Sequence, residues 1–367
     1  MAQLGLIGQP REALDTPVLL VDLDILERNI ERMARIILRE AGVGWRPHTK
    51  GMKTPALAHM LLEAGAHGIT CAKLGEAEVM AGAGVRDILV ANQVVGAQKI
   101  ARLVNLRRHC DIMVLVDNPA NVEEIDRAAR AKGVRVRVLI EVNVGCDRAG
   151  VEPGESTLVL ARQIAACEGL HLAGLQTWES HTLKITNPEE KRQQVLAALK
   201  LLTDTAQLCR DEGLPMDIIS CGGTGTYSMS AFAPGITEIE AGGGIYSDRQ
   251  YRTKFGVEHD DALTILATVT SRPTPTRIIC DAGKKTMSND ATEPHPIGIE
   301  GIEELALSAE HGKIELKAAS ATPLVGEQIE FIAGYSDTTV VLHEEIYGIR
   351  KGRVETVWPL WGRGRLQ

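Results

Sequence analysis

The sequence predicts an α/β fold, a (β/α)8 TIM-type barrel with a second, smaller antiparallel β domain, and three observations predict it. Between residues 45 and 240, eight short β-type runs alternate with helical stretches, and eight parallel βα units are the number that closes a barrel. Beyond residue 255 the texture changes to apolar runs separated by Gly, Pro and charge, the pattern of antiparallel strands. A length of 367 residues accommodates a barrel of ~250 residues and a further domain. A doubly wound open sheet is the alternative for the first part.

Taken in order, the chain opens with a strand over 16–22 and an amphipathic helix over 24–39. The barrel strands follow at 45–48, 68–71, 88–91, 111–116, 136–143, 170–177, 217–220 and 238–240. Helical patterns lie between them, among them 54–64, 75–83, 119–131 and 191–211. Asn118 is a good cap and Pro119 suits a first helical turn. Later β-type runs cover 263–271, 277–281, 313–318, 339–343 and 354–358. The resulting domains are a barrel over 23–254 and a β-rich domain made of 1–22 plus 255–367, in which the opening strand pairs with C-terminal ones and brings the chain ends together.

Composition excludes several function classes. A net charge of −8 and a pI near 5.8 disfavour a duplex-binding surface. Three Phe, four Trp and five Tyr are too few for a platform that stacks single-stranded bases. The seven cysteines (Cys71, Cys110, Cys146, Cys167, Cys209, Cys221, Cys280) form no CxxC pair and read as reduced thiols of a cytoplasmic protein. The opening MAQLGLIGQPRE has no secretory pattern, and no apolar run approaches the ~20 residues that cross a bilayer. The expected partner is a small molecule, with neither nucleic acid nor membrane.

In a barrel the chemistry gathers where strands end. The first strand ends in Arg46-Pro-His48-Thr-Lys50, where alternation puts His48 and Lys50 on one side if the strand reaches that far. The seventh ends in Cys221-Gly-Gly223-Thr224-Gly225-Thr226 and the eighth in Ala241-Gly242-Gly243-Gly244. Two glycine-rich loops at consecutive strand ends suit a phosphate, because bare backbone N–H groups can close around an anion; the plainer reading is a pair of tight turns. Facing the same mouth, Lys50 could hold a phosphorylated aldehyde as an imine, although most strand-end lysines are simply solvated. After the fifth strand Arg148 could hydrogen-bond a phenolate or a substrate carboxylate, or form a surface salt bridge. Trp178, after the sixth, could flank a ring or pack in the core.

At these residues the sequence resembles the D-threonine aldolase and D-serine dehydratase family, a metal-linked branch of the alanine-racemase-fold (fold-type III) pyridoxal-phosphate enzymes. The resemblance covers nearly the whole chain: Asp15-Thr-Pro17, Arg46-Pro-His48-Thr-Lys50, Glu141-Val-Asn-Val-Gly145 with Arg148-Ala-Gly150, Cys221-Gly-Gly-Thr-Gly-Thr-Tyr227, Asp281-Ala-Gly283 and Val354-Glu-Thr-Val-Trp-Pro359. It implies that Lys50 carries pyridoxal 5'-phosphate and acts as a base on one face. It further implies phosphate contacts from Thr224, Gly242 and Gly243, with Gly223 and Gly225 in the same loops, Arg148 near the phenolic oxygen, a cofactor contact from Tyr251, and a homodimer. His48 and Trp178 complete the cofactor-binding candidates.

Two departures from the family stand out. Its divalent metal (Mg, Mn or Zn) is held by a histidine and, two residues on, an aspartate or cysteine, whereas here the segment reads Ala333-Gly-Tyr335-Ser336-Asp337. Asp337 remains as a metal candidate, and a tyrosine is a poor replacement for imidazole. His343 and Glu345 lie close by in sequence and could compensate. The second departure is Ala241-Gly-Gly-Gly244, where the family more often has Gly-Ser-Tyr. The leading functional expectation is a lyase, retro-aldol cleavage of a D-β-hydroxy-α-amino acid of the D-threonine or 3-hydroxyaspartate type to glycine and an aldehyde. Lys50, His181, His343 and Tyr335 are its candidate catalytic residues, the last three as proton carriers between which the sequence does not choose. A D-serine or 3-hydroxyaspartate dehydratase (deaminase), then a racemase, are the alternatives, and a cofactor-binding protein without turnover is a reading from another class.

Overall fold

The computed structural model describes residues 4–367. Its first strand, β1 (Val18–Asp22), runs into helix α1 (Leu23–Ala34). The expected single helix over 24–39 is α-helical only in this first part. It widens into a π-helical turn at Arg35–Glu40, in which Ile37 is buried.

Eight parallel strands then follow: β2 (Gly44–Trp45), β3 (Ile69–Cys71), β4 (Asp87–Gln93), β5 (Asp111–Val116), β6 (Val136–Glu141), β7 (Leu170–Gln176), β8 (Ile218–Cys221) and β9 (Glu238–Ile239). Each pairs with the next from β3 to β9, and β9 pairs with β2. A bridge between His48 and Thr70 joins the continuation of β2 to β3, so the ring closes and the open-sheet alternative falls away. Between the strands run α2 (Pro55–Glu63), α3 (Leu74–Gly82), α4 (Ala97–Leu106), α5 (Pro119–Lys132), α6 (Glu155–Ala165), α7 (Pro188–Asp211) and the short α8 (Tyr227–Ser230). Asn118 caps α5 through its side-chain oxygen, which accepts from Ala120 and Asn121 N–H, and Pro119 occupies the first turn. Asn187 and Pro188 do the same for α7, so that helix starts three residues before its apolar periodicity does. Leu89, Met113, Leu115, Leu139, Ala173 and Ile218 fill the ring's interior, as alternation along each strand requires.

At the end of the ring where the strands begin, a buried ion network takes over from apolar packing. Arg46 reaches Glu238 at 3.0 Å and Asp87 at 2.6 Å, and His67 Nε2 lies 3.0 Å from the same Glu238. Burial pushes the Glu238 carboxyl up, but the charges and hydrogen bonds of Arg46 and His67 outweigh it and leave its pKa at about 2.

The barrel with residues 31–50, 55–242 and 364–367 is one compact unit; residues up to Ile30, 51–54 and 243–363 form the other. The second contains α9 (Arg249–Phe255), β10 (Leu263–Thr274), β11 (Arg277–Cys280), β12 (His295–Pro296), β13 (Ile302–Leu307), β14 (Gly312–Leu316), β15 (Gln328–Ile332), α10 (Ser336–Thr339), β16 (Glu345–Arg350) and β17 (Arg353–Pro359). Its main sheet has the order β13-β14-β11-β10-β1-β16-β17, with β15 also on β10 and β12 on β15. Strand β1 therefore sits mid-sheet, antiparallel to β10 and parallel to β16, as the expected joining of the chain ends requires. Leu14, Val18, Leu20, Leu266, Tyr347, Ile349 and Val354 make one face of that sheet's core.

One expected strand is not there. Residues 339–343 form the end of α10 and a 3-10 turn at Val340–Leu342. The Thr-Val-Val run has high β-propensity, but Val340 is fully buried in this turn and the Thr339 hydroxyl accepts from Ser288 N–H, so tertiary packing decides. Among the described residues no helix is long and apolar enough to cross a membrane, and all seven cysteines are free.

Candidate active site

In the barrel unit the strand exits carry the predicted residues. Lys50 is half-buried just past the His48 bridge, and its N–H donates to His48 Nδ1 at 3.3 Å. The His48 N–H donates to the Glu240 carbonyl at 2.9 Å, and Gly242 lies so close to the His48 backbone that a Cβ would collide with it. The exits of β2 and β9 thus run side by side, bringing the segment that carries Lys50 against the last glycine-rich loop.

The loop after β8 is folded back on itself. Gly223 N–H donates to Thr226 Oγ1 at 3.2 Å, and the Gly223 carbonyl accepts from Thr226 and Tyr227 N–H at 3.0 and 2.9 Å. The six-membered ring of Trp178 covers Gly223, leaving no room there for a side chain. Thr224 is buried. Among the described residues the buried amides of Gly225 and Gly242 have no acceptor. Buried N–H groups are almost always paired, so two without partners beside a buried threonine form a donor set that fits a phosphate group.

Arg148 follows β6, and its Nη2 lies 3.2 Å from Glu141, a buried carboxylate that also accepts from Gln93 Nε2 at 2.6 Å. The salt bridge is real, but its acidic half is the end of a barrel strand rather than the surface. His181 stands on an exposed 3-10 turn (Ser180–Lys184) and packs beside Gly145, on the loop that carries Arg148. Beneath the mouth, buried Glu240 accepts from Ser220 Oγ at 2.8 Å. Burial raises its pKa to about 8, with the Ser220 hydrogen bond opposing and the charge of Glu238 adding.

The second unit holds the remaining candidates. Gly243 abuts Tyr251, whose hydroxyl would lie 2.5 Å from a Cβ there. The Tyr251 ring meets Tyr335 edge-on at 6.0 Å. Tyr335 donates its hydroxyl to Asp337 Oδ2 at 2.8 Å, and Oδ1 of the same carboxylate faces Gly51, the residue that follows Lys50 in the chain. Burial, then the Asp337 charge, push the Tyr335 phenol far up, so it stays protonated and donates. Asp248 ties these parts together: it caps α9 by accepting Tyr251 N–H at 2.8 Å, and it accepts both N–H and Oγ–H of Ser336, also at 2.8 Å. Burial lifts its carboxyl to about 7 against those hydrogen bonds.

The residues around Asp337 do not fit a divalent ion. One carboxylate oxygen takes the Tyr335 hydroxyl; His343 engages the Thr286 carbonyl through Nε2 at 2.7 Å; and Glu345 accepts from Tyr347. Neither His343 nor Glu345 joins Asp337, and among the described residues no three His, Cys, Asp or Glu side chains come together to hold a metal. Sequence reading also passed over Glu141, Glu179 and Glu240, the buried carboxylates at the strand ends. Their signal was position, since each falls where a β-type run meets a loop.

The family described as alanine racemase, N-terminal domain, matches residues 21–250, and a serine dehydratase domain matches residues 262–349. The chain is 34% identical to a D-threonine aldolase of an Arthrobacter species over 97% of its own length and 95% of the relative's. It is 30% identical to a 3-hydroxy-D-aspartate aldolase of Paracoccus denitrificans over 98% of this chain and 95% of that one. The crystal structure of D-threonine aldolase from Filomicrobium marinum superposes with a TM-score of 0.94 at 32% identity, with 98% of both chains covered.

Proposed function

We propose that this chain, which belongs to the alanine racemase N-terminal domain family and within it to the D-threonine aldolase-like proteins, is a pyridoxal-phosphate-dependent lyase. It cleaves a D-configured β-hydroxy-α-amino acid between Cα and Cβ, giving glycine and an aldehyde. The observation that carries this reading is 34% and 30% identity to two aldolases over 97% and 98% of this chain, joined to a half-buried lysine at one strand exit and two unpartnered glycine amides in the strand-exit loops of the same unit.

When bound, pyridoxal phosphate supplies an electron sink for the pair left at Cα. Lys50 is the residue to hold it. The amides of Gly225, Gly242 and Gly243 and the Thr224 hydroxyl would take its phosphate, while Gly223, whose N–H is held by Thr226, shapes the loop. Arg148, steadied by Glu141, would face the phenolic oxygen, with Trp178, His48 and Tyr251 bordering the ring. The β-hydroxyl proton must leave as the bond breaks. Of the three carriers the sequence left open, His181 is exposed, His343 has its Nε2 on a carbonyl, and Tyr335 is a donor to Asp337. We assign proton acceptance to the Asp337 carboxylate, with Tyr335 orienting it. In this reading residues 23–254 act as the cofactor-binding barrel and residues 1–22 with 255–367 as its companion domain. The protein works in the cytoplasm as a homodimer, and seven free thiols suit a reducing compartment.

Supplying the purified protein with pyridoxal phosphate and D-threonine or D-3-hydroxyaspartate should release glycine and aldehyde in equal amounts, with no turnover of the L-isomers. Ammonia and a 2-keto acid in their place would make it a dehydratase. Borohydride should fix the cofactor to Lys50; label on Lys53 or Lys73 would overturn the assignment.

A further inference from the structure

Glu179 is buried and sits between the barrel's core and the loop after β8, and none of the roles above uses it. Its Oε1 accepts the Thr226 and Ser230 hydroxyls, each at 2.7 Å, and its Oε2 accepts the Gly222 N–H at 3.4 Å. These donors span the loop from its first glycine to the end of α8. The preceding residue, Trp178, lies against Gly223. One dipeptide at the end of β7 therefore grips the loop twice, by ring stacking at Gly223 and by a carboxylate behind it.

The arrangement runs against simple electrostatics, because a carboxylate beside an anion site should weaken it. Every donor that Glu179 takes, however, ends on a side chain with no exposed surface. Gly222 N–H and two hydroxyls turn inward, Gly223 N–H turns to Thr226, and Gly225 N–H is left without a protein acceptor. Hydrogen bonds to an ionised acceptor are roughly twice as strong as neutral ones, so this loop is held in one shape before any ligand arrives. We propose that Glu179 is a positioning residue, which fixes the loop so that the Gly225 amide and Thr224 face the cofactor phosphate.

This inference rests on the cofactor reading above, and its test separates the two. The full-length protein, stripped of cofactor, is titrated with pyridoxal 5'-phosphate and with pyridoxal, which lacks the phosphate. Glu179→Gln keeps the volume but replaces one acceptor oxygen with a donor NH2. It should weaken pyridoxal phosphate binding ~10-fold, the worth of one charge-assisted hydrogen bond, and leave pyridoxal binding within about twofold. Thr226→Ser keeps the hydroxyl and should bind like the parent. Ser230→Ala removes one of three donors and should show a smaller loss confined to the phosphorylated ligand, which carries the test should Glu179→Gln fold poorly. Equal losses for both ligands, or none for either, would overturn the role of Glu179 while leaving the cofactor assignment standing. A parent protein that takes up neither ligand would overturn both.

Discussion

The hydrogen bond from Tyr335 to Asp337 is one contact of 2.8 Å, yet it fixes which of the two side chains is the donor. A phenol whose pKa is driven up by burial and by the adjacent carboxylate stays protonated as a donor, which is the ground for proposing its partner as the proton acceptor. Asp337→Asn should lower kcat by about 10²–10⁴-fold, the usual worth of general base catalysis, while Tyr335→Phe, which loses only orientation, should cost much less. Chelation with EDTA should leave the activity of the parent protein in place. Tyr335→His rebuilds a histidine two residues before an aspartate and should make activity respond to added Mn²⁺ or Zn²⁺; complete loss of parent activity on chelation would refute the assignment of Asp337 as base. The sequence singles out Lys50 and Thr224 at strand ends and Asp337 as a metal candidate, but the reading of Asp337 as a base rests on the Tyr335 hydroxyl that the structure brings to it. What was not legible is how Tyr335, His343 and Glu345 dispose their polar atoms, since that depends on Thr286 and Tyr347, residues with no motif of their own.

Two strand-end glutamates two residues apart, Glu238 and Glu240, face opposite fates on one short segment. Glu238 is drawn down to about 2 by Arg46 and His67 against its burial. Its stabilising contribution is therefore fully present above its ordinary value of 4.5 and fades as pH falls from there towards 2. Glu240 is pushed up to about 8, so the native state holds a proton that the unfolded chain gives up above 4.5. Between those values stability should fall as pH rises, by at most about 1.4 kcal/mol per unit. Glu240→Gln should flatten denaturant-measured stability across that window. Glu238→Gln should lower it by about 3–5 kcal/mol at neutral pH, because Arg46 is left buried with its main partner gone. At this scale all eight barrel strands were readable, since buried parallel strands are short apolar runs between helices. Residues 339–343 were not, because β-branched composition is a statement about local preference and Val340 is placed by its neighbours.

Across the whole molecule, the strand that opens the chain is the centre of the sheet made by its end. Leu20 pairs with Thr264 on one side and with Tyr347 on the other. A chain that begins at Leu23 would expose the inner edges of β10, whose first half is apolar, and of β16, edges that invite pairing with other molecules. Such a truncation should be recovered mainly as aggregate, by soluble yield and light scattering, whereas Leu20→Ala, which removes one buried side chain and keeps the strand, should cost about 2–5 kcal/mol and remain soluble. The same topology sets an order of events during synthesis. The apolar stretch Val18-Leu-Leu-Val leaves the ribosome 327 residues (347 − 20) before its parallel partner at Tyr347. At ~5–20 residues per second that interval is roughly 15–65 s. A nascent chain must therefore carry a strand with an open edge past its own barrel throughout that interval, so holdase chaperones present during refolding or synthesis should raise the soluble yield.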